Sequence, residues 1–176
     1  MTRGLLLTAL VIGAVRGAAP LAQDVSREYR VKAAYLYNFV KYVEWPDTSK
    51  GRILICIAGQ NPFGTQLESL IRNERVHGVP LATEVILEPR ADCDVVFTPR
   101  TSAGISAYLR GAAGLPTLTV GETPRFVEQG GMIGFYTDGV NVRFEINPDA
   151  ATRAKLKISS RLLQLAKIVE TASEER

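Results

Sequence analysis

The chain has one histidine and two cysteines in 176 residues, and each scarcity closes off a class of chemistry. A zinc centre needs several His or Cys ligands at close spacing. His77 has no second histidine and no cysteine near it, so no metal site is expected. A Ser-His-Asp triad would have to use His77, yet no G-x-S-x-G elbow presents a serine. Ser159 and Ser160 read instead as capping or helix-packing residues. Gly59-Gln60-Asn61-Pro62-Phe63-Gly64 has the spacing of a phosphate loop, but Thr65-Gln66 follows where Lys and then Ser or Thr are required. It reads as a strand-to-helix turn, with at most weak anion binding at the helix start. Gly130, Gly131 and Gly134 fail the dinucleotide fingerprint and precede a strand. No cofactor is expected, and no enzyme.

Two acidic pairs remain. Asp92 and Asp94 stand two apart and would share a face of a strand; flanking an apolar run, they read better as its solvated, turn-forming start. Glu122 and Glu128 form the second pair. A hydrolase built on His77 or on Asp92 and Asp94 ranks last among the readings.

Long apolar runs are also scarce. The most apolar segment, Leu5 to Val15, follows a basic start at Arg3 and precedes Gly17-Ala18-Ala19. That is the layout of a secretory signal peptide over residues 1–22, too short to span a membrane, with cleavage near Ala19 or Ala22. No later stretch approaches 18 apolar residues, so no direct membrane insertion is expected. The formal charge is +3, and removing Arg3 and Arg16 leaves 19 basic residues against 18 acidic ones. A near-neutral chain has no electrostatic reason to seek nucleic acid. The reading is an exported, periplasmic protein, with residues 23–176 as one domain.

Export gives the cysteines a meaning. In an oxidising compartment the two suggest one disulfide, Cys56–Cys93, closing a loop worth about 4 kcal/mol in the chain-entropy model. Two unpaired cysteines buried in strands are the other reading.

What the chain has in quantity is aromatic surface near its start. VKAAYLYNFVKYVEWP, residues 31–46, holds five of the 13 aromatic residues. Residues 25–45 read as a helix ended by Pro46. Val31, Tyr35, Leu36, Phe39, Val40, Tyr42 and Val43 fill one half of it, interrupted by Lys32, whose stem would snorkel. Tyr37 and Trp45 fall on the weaker half. RILICIAG and CDVVFTP read as strands buried on both faces. Helices are expected over Pro62 to Arg72 with Asn61 as N-cap, over 102–113, briefly over Arg125 to Gln129, and over Ala150 to Glu170. HGVPLATEVIL and PTLTVGE contain further strands, Pro80 placing the former at a strand start or sheet edge. GGMIGFYTDGVNVRFEIN reads as a hairpin turning at Asp138-Gly139. The whole predicts a three-layer α/β domain: a mostly parallel central sheet, helices on both faces, and a C-terminal hairpin plus helix.

In order along the chain, VKAAYLYNFVKYVEWP, ILICIAGQNPFG, CDVVFTP, LTVGE, GGMIGFYTDGVNVRFEIN and LKISSRLLQLAKIV resemble the blocks of the YfiR-like family of bacterial periplasmic proteins. The resemblance runs from about Glu28 to Val169. It implies regulation by binding: docking on the periplasmic sensor domain of an inner-membrane diguanylate cyclase, repressing it, and so controlling cyclic di-GMP and biofilm formation. It also suggests redox and envelope stress as inputs, and a homodimer. Two positions depart from the pattern. A second cysteine pair found near the hairpin in some members is missing here, Gly134 standing in one slot, and Lys155 stands where glycine is expected.

A partner-binding repressor needs exposed apolar or aromatic groups and no reaction centre. Tyr37, Trp45, Ile133, Phe135 and Glu145 are the expected contacts. The alternative is a small-ligand sensor, with a cleft at the carboxyl ends of the strands lined by Gly59 to Gly64 and Thr98 to Ser102.

Overall fold

A computed structural model describes residues 19–47 and 49–170. The first half runs α1 (Ala19–Tyr42), β1 (Val43–Glu44), β2 (Ile53–Ala58), α2 (Gln66–Ile71), β3 (Arg75–Val76), β4 (Val79–Ile86) and β5 (Val95–Thr98). It continues through α3 (Ile105–Ala112), β6 (Leu118–Gly121), β7 (Ile133–Asp138), β8 (Asn141–Ile146), α4 (Pro148–Arg153), β9 (Lys157–Ile158), α5 (Ser160–Leu163) and β10 (Lys167–Ile168). The signal-peptide expectation falls largely outside the described residues.

Eight of the strands form one sheet in the order β10-β8-β7-β6-β5-β2-β4-β3. Its pairs are parallel except for the hairpins β7–β8 and β3–β4. The fold is the expected α/β one, and strand β2 shows why. Its Ile55 and Ile57 pack with Leu36, Phe39 and Val40 of α1, while Leu54, Cys56 and Ala58 pack with Tyr108 of α3 on the other face. A strand buried on both faces must be apolar at every position.

The Asp138-Gly139 hairpin forms with Asp138 opposite Asn141. Gly139 takes φ +60°, a conformation open to glycine at little cost. Near Phe126, glycine has a different role: a Cβ on Gly121 or Gly131 would come within 2.4 or 2.2 Å of that ring. The two bare backbones make the slot that buries it.

Four local expectations are corrected. Helix α1 stops at Tyr42, because Val43 and Glu44 pair with Ile158 and Lys157 and Ser159 N–H donates to the Tyr42 carbonyl at 2.9 Å. Trp45 is therefore off the helix. Helix α2 starts at Gln66; Asn61 instead closes a turn, its Oδ1 accepting from Phe63 N–H and its Nδ2 donating to the Gly64 carbonyl, both at 2.9 Å. Residues 124–130 form turns, not a short helix.

The expected helix over Ala150 to Glu170 is broken into α4, β9, α5 and β10. Lys155 ends α4 at φ +60°, its N–H bonding the Thr152 carbonyl and the Leu156 N–H the Ala151 carbonyl. This is a left-handed helix stop of the kind glycine usually supplies. Lysine thus occupies a glycine conformation, at the position where the resemblance leads one to expect glycine.

Candidate functional site

Charged side chains meet at the carboxyl ends of β5 and β6, the crevice where α/β sheets commonly hold ligands. Lys32 of α1 is 1% exposed and does not snorkel, while Val31 beside it is 38% exposed. Lys32 Nζ is ion-paired with both Glu28 and Glu122, the latter directly after β6. Glu122 Oε1 also accepts from the Tyr29 hydroxyl at 2.7 Å and from Arg100 N–H at 2.8 Å. Burial, then the bond to Glu122, pushes the Tyr29 phenol well above its usual pKa.

The neighbouring loops are tied down as well. Gly59 N–H donates to the Ile86 carbonyl at 2.8 Å and the Ser102 hydroxyl to the Ala58 carbonyl at 2.7 Å. The place expected to hold a ligand is thus occupied by the chain's own ion pair. It joins α1 to the sheet.

A cleft opens at the opposite, amino end of the sheet. It has a volume of about 280 Å³ and is lined by residues that include Val43, Trp45, Lys50, Val76, His77 and Asp94. Asp94 is buried, accepting from Lys50 Nζ and, through its other oxygen, from Leu54 N–H at 2.8 Å. Asp92 points elsewhere, to Arg90. The two aspartates therefore do not converge, and neither do Glu122 and Glu128, the latter pairing with Arg125. Trp45 is half-buried in this cleft, and its indole N–H is buried without an acceptor. A buried unpaired donor carries a cost that an entering acceptor would relieve.

The five expected contacts do not form one surface. Ile133 and Phe135 are core residues, 0% and 4% exposed, which corrects their place on a contact face. Their side of β7 meets α1, with Phe39 5.6 Å from Phe135 ring to ring, and Phe144 of β8 lies 5.2 Å from Tyr35. Tyr37 is half-buried, donates to Glu74 and lies under Lys41 Nζ, 5.1 Å from the ring centroid.

Glu145 stands on the other face of the hairpin, opposite Gly134 and Lys167 in register, and pairs with Lys167 at 3.3 Å. Around it lie side chains the sequence did not single out. Tyr136 is exposed, and Lys167 Nζ stands 6.0 Å from its ring centroid; the exposed Ile168, in register with the core residue Ile146, falls on the opposite face. Tyr136 follows from the alternation of β7 once the core face is known. Ile168 was hidden by the helical reading of the tail.

Cys56 and Cys93 are bonded, with Cα atoms 5.8 Å apart, in the cluster between the sheet and α3. Among the described residues no helix is long and apolar enough to cross a membrane.

Comparison with curated proteins gives no match. Among solved structures the chain is similar to a conserved domain protein from Vibrio cholerae O1 biovar eltor, at 14% identity and a TM-score of 0.49. That similarity covers 80% of this chain and 59% of the other. The profile of the YfiR/HmsC-like family matches residues 29–167, taking in α1 from Tyr29, both hairpins, the disulfide and the first residue of β10. The chain belongs to the YfiR/HmsC-like family.

Proposed function

We propose that the mature chain, residues 23–176, is a periplasmic repressor that docks on the periplasmic sensor domain of an inner-membrane diguanylate cyclase. The family is one of periplasmic regulators of diguanylate-cyclase signalling rather than enzymes, and its match over residues 29–167 is the observation that carries this reading. The internally satisfied crevice at the strand ends supports binding over catalysis, since its charged groups are committed to one another. The contact surface centres on Glu145 of β8, with Tyr136 and Lys167 on the same face. Tyr37 and Trp45 belong to a second patch near β3. Exposed aromatic and apolar groups next to a charge are what an interface core and rim require.

The test is direct binding of the purified mature chain to the periplasmic domains of the host's membrane diguanylate cyclases. Saturable binding to one of them, weakened by Glu145→Arg, is expected. Failure to bind any of them overturns the reading.

The orphan indole N–H favours a second reading, a small-ligand sensor seated at the amino-end cleft. It is compatible with the first, since a ligand that prefers one conformation shifts docking. Trp45 is the chain's one tryptophan. A metabolite entering the cleft must therefore change the intrinsic tryptophan emission and raise Tm.

A further inference from the structure

A larger cleft, of about 600 Å³, lies between α3 and α4 and is lined by Thr119 of β6. Arg110 of α3 and Arg153 of α4 stand on its two walls, and no Asp or Glu lines it. Both arginines are exposed, and neither has an ion pair or hydrogen bond to another side chain among the described residues. Thr119 is 4% exposed, and its hydroxyl oxygen accepts from Met132 N–H at 3.0 Å, which leaves the hydroxyl proton to donate. Leu109, Ala112 and Met132 supply apolar wall. The end of α3 brings no bare carbonyl against this arrangement at two of its last positions. The Arg110 and Ala112 carbonyls already accept from Ala113 and Leu115 N–H at 3.2 and 3.1 Å.

We infer that this cleft binds a small organic anion, its carboxylate or phosphate held by Arg110 and Arg153 and reached from below by the Thr119 hydroxyl, its apolar body on Leu109, Ala112 and Met132. Guanidinium groups suit such oxyanions because their planar donors match two oxygens at once. The depth of the polar group decides between occupants. A flat protein surface meets only the two arginines, whereas Thr119 is met only by something that enters. The site is separate from the Trp45 cleft and from the Glu145 surface, so it stands or falls independently of the proposed cyclase docking.

Calorimetric titration of the folded mature chain with sodium benzoate and with phenyl phosphate tests it, with benzyl alcohol as the uncharged control. Saturable binding of at least one anion is expected, and the tighter of the two tells carboxylate from phosphate. Benzyl alcohol should give none. Arg110→Gln and Arg153→Gln should each weaken binding about tenfold or more, the scale of one charge-assisted hydrogen bond. Because both side chains are exposed and unpaired, their Tm should stay that of the parent. Thr119→Val should weaken binding further, with amide shifts on ligand addition confined to residues around Thr119 and Gly130. No saturable binding of either anion up to about 10 mM, where affinity falls below any useful range, overturns the inference. So does binding unchanged in the double arginine variant. Inorganic phosphate binding as tightly as phenyl phosphate would remove the apolar wall from the account and overturn it in that form.

Discussion

Lys32 and Glu122, ninety residues apart, form an ion pair in which neither side chain is more than 2% exposed. Removing one member of such a pair leaves a buried charge uncompensated and costs about 3–5 kcal/mol, while replacing both with apolar groups can be nearly neutral. Glu122→Gln leaves Glu28 beside Lys32 and is therefore expected to lower unfolding free energy by about 3 kcal/mol, the low end of that range. The double variant Lys32→Met, Glu122→Leu should lose less, although the Tyr29 hydroxyl and Arg100 N–H then lose their acceptor and Glu28 keeps only Arg100, at 3.8 Å. Urea unfolding of the parent and both variants checks this; a single variant as stable as the parent contradicts it.

The Tyr29 phenol gives a pH dependence. Its pKa is raised in the folded chain by burial and by the bond to Glu122. The unfolded chain begins to release this proton near pH 10, while the folded chain still holds it. The contribution to stability is complete below that pH and is lost as pH rises through the folded pKa. Tyr29→Phe should make the drop in urea midpoint between about pH 8 and about pH 11 smaller than in the parent.

The disulfide is a stability device in this account. Its loop spans 37 positions, worth about 4 kcal/mol in the chain-entropy model. Cys56→Ser should lower Tm. The parent should likewise melt lower under strong reductant once the buried bond has been opened in denaturant. Equal stability of the oxidised and reduced chains would contradict the assignment.

Lys155 offers a gain. A left-handed conformation costs an L-residue roughly 1–2 kcal/mol, part of which glycine returns as greater freedom when unfolded. Lys155→Gly is expected to raise Tm by about 2–4 °C, the shift that roughly 1 kcal/mol gives a chain of this size. A lower Tm would mean that the lysine side chain contributes more than the strain costs.

How much of this was legible depended on how local each cause is. Strands β2 and β5 were readable because burial on both faces leaves them apolar throughout, and the β7–β8 hairpin because Asp138-Gly139 sets its own turn. The place of Trp45 was not readable, since Val43 leaves helical geometry to pair with Ile158, more than a hundred residues on. The tail carries a helical stripe through Leu162 and Leu165, but one left-handed residue at Lys155 and pairing to β1 and β8 outweigh it. The alternation of Ile133, Gly134, Phe135 and Tyr136 was plain in the sequence. Which side faces the core was not, because Tyr35 and Phe39 of a distant helix decide it. For the same reason Glu145 and Tyr136, rather than Ile133 and Phe135, remain at the surface. Lys32 looked like an imperfection of an apolar stripe because its partner, Glu122, lies at the end of another strand.

The measurement that bears most directly on the proposed function is cellular cyclic di-GMP in a strain lacking this gene. The strain would be complemented either with the exported form or with one lacking residues 1–22. A rise in cyclic di-GMP that only the exported form reverses is the expected result. An unchanged level, or reversal by the form that stays in the cytoplasm, would contradict repression from the periplasm.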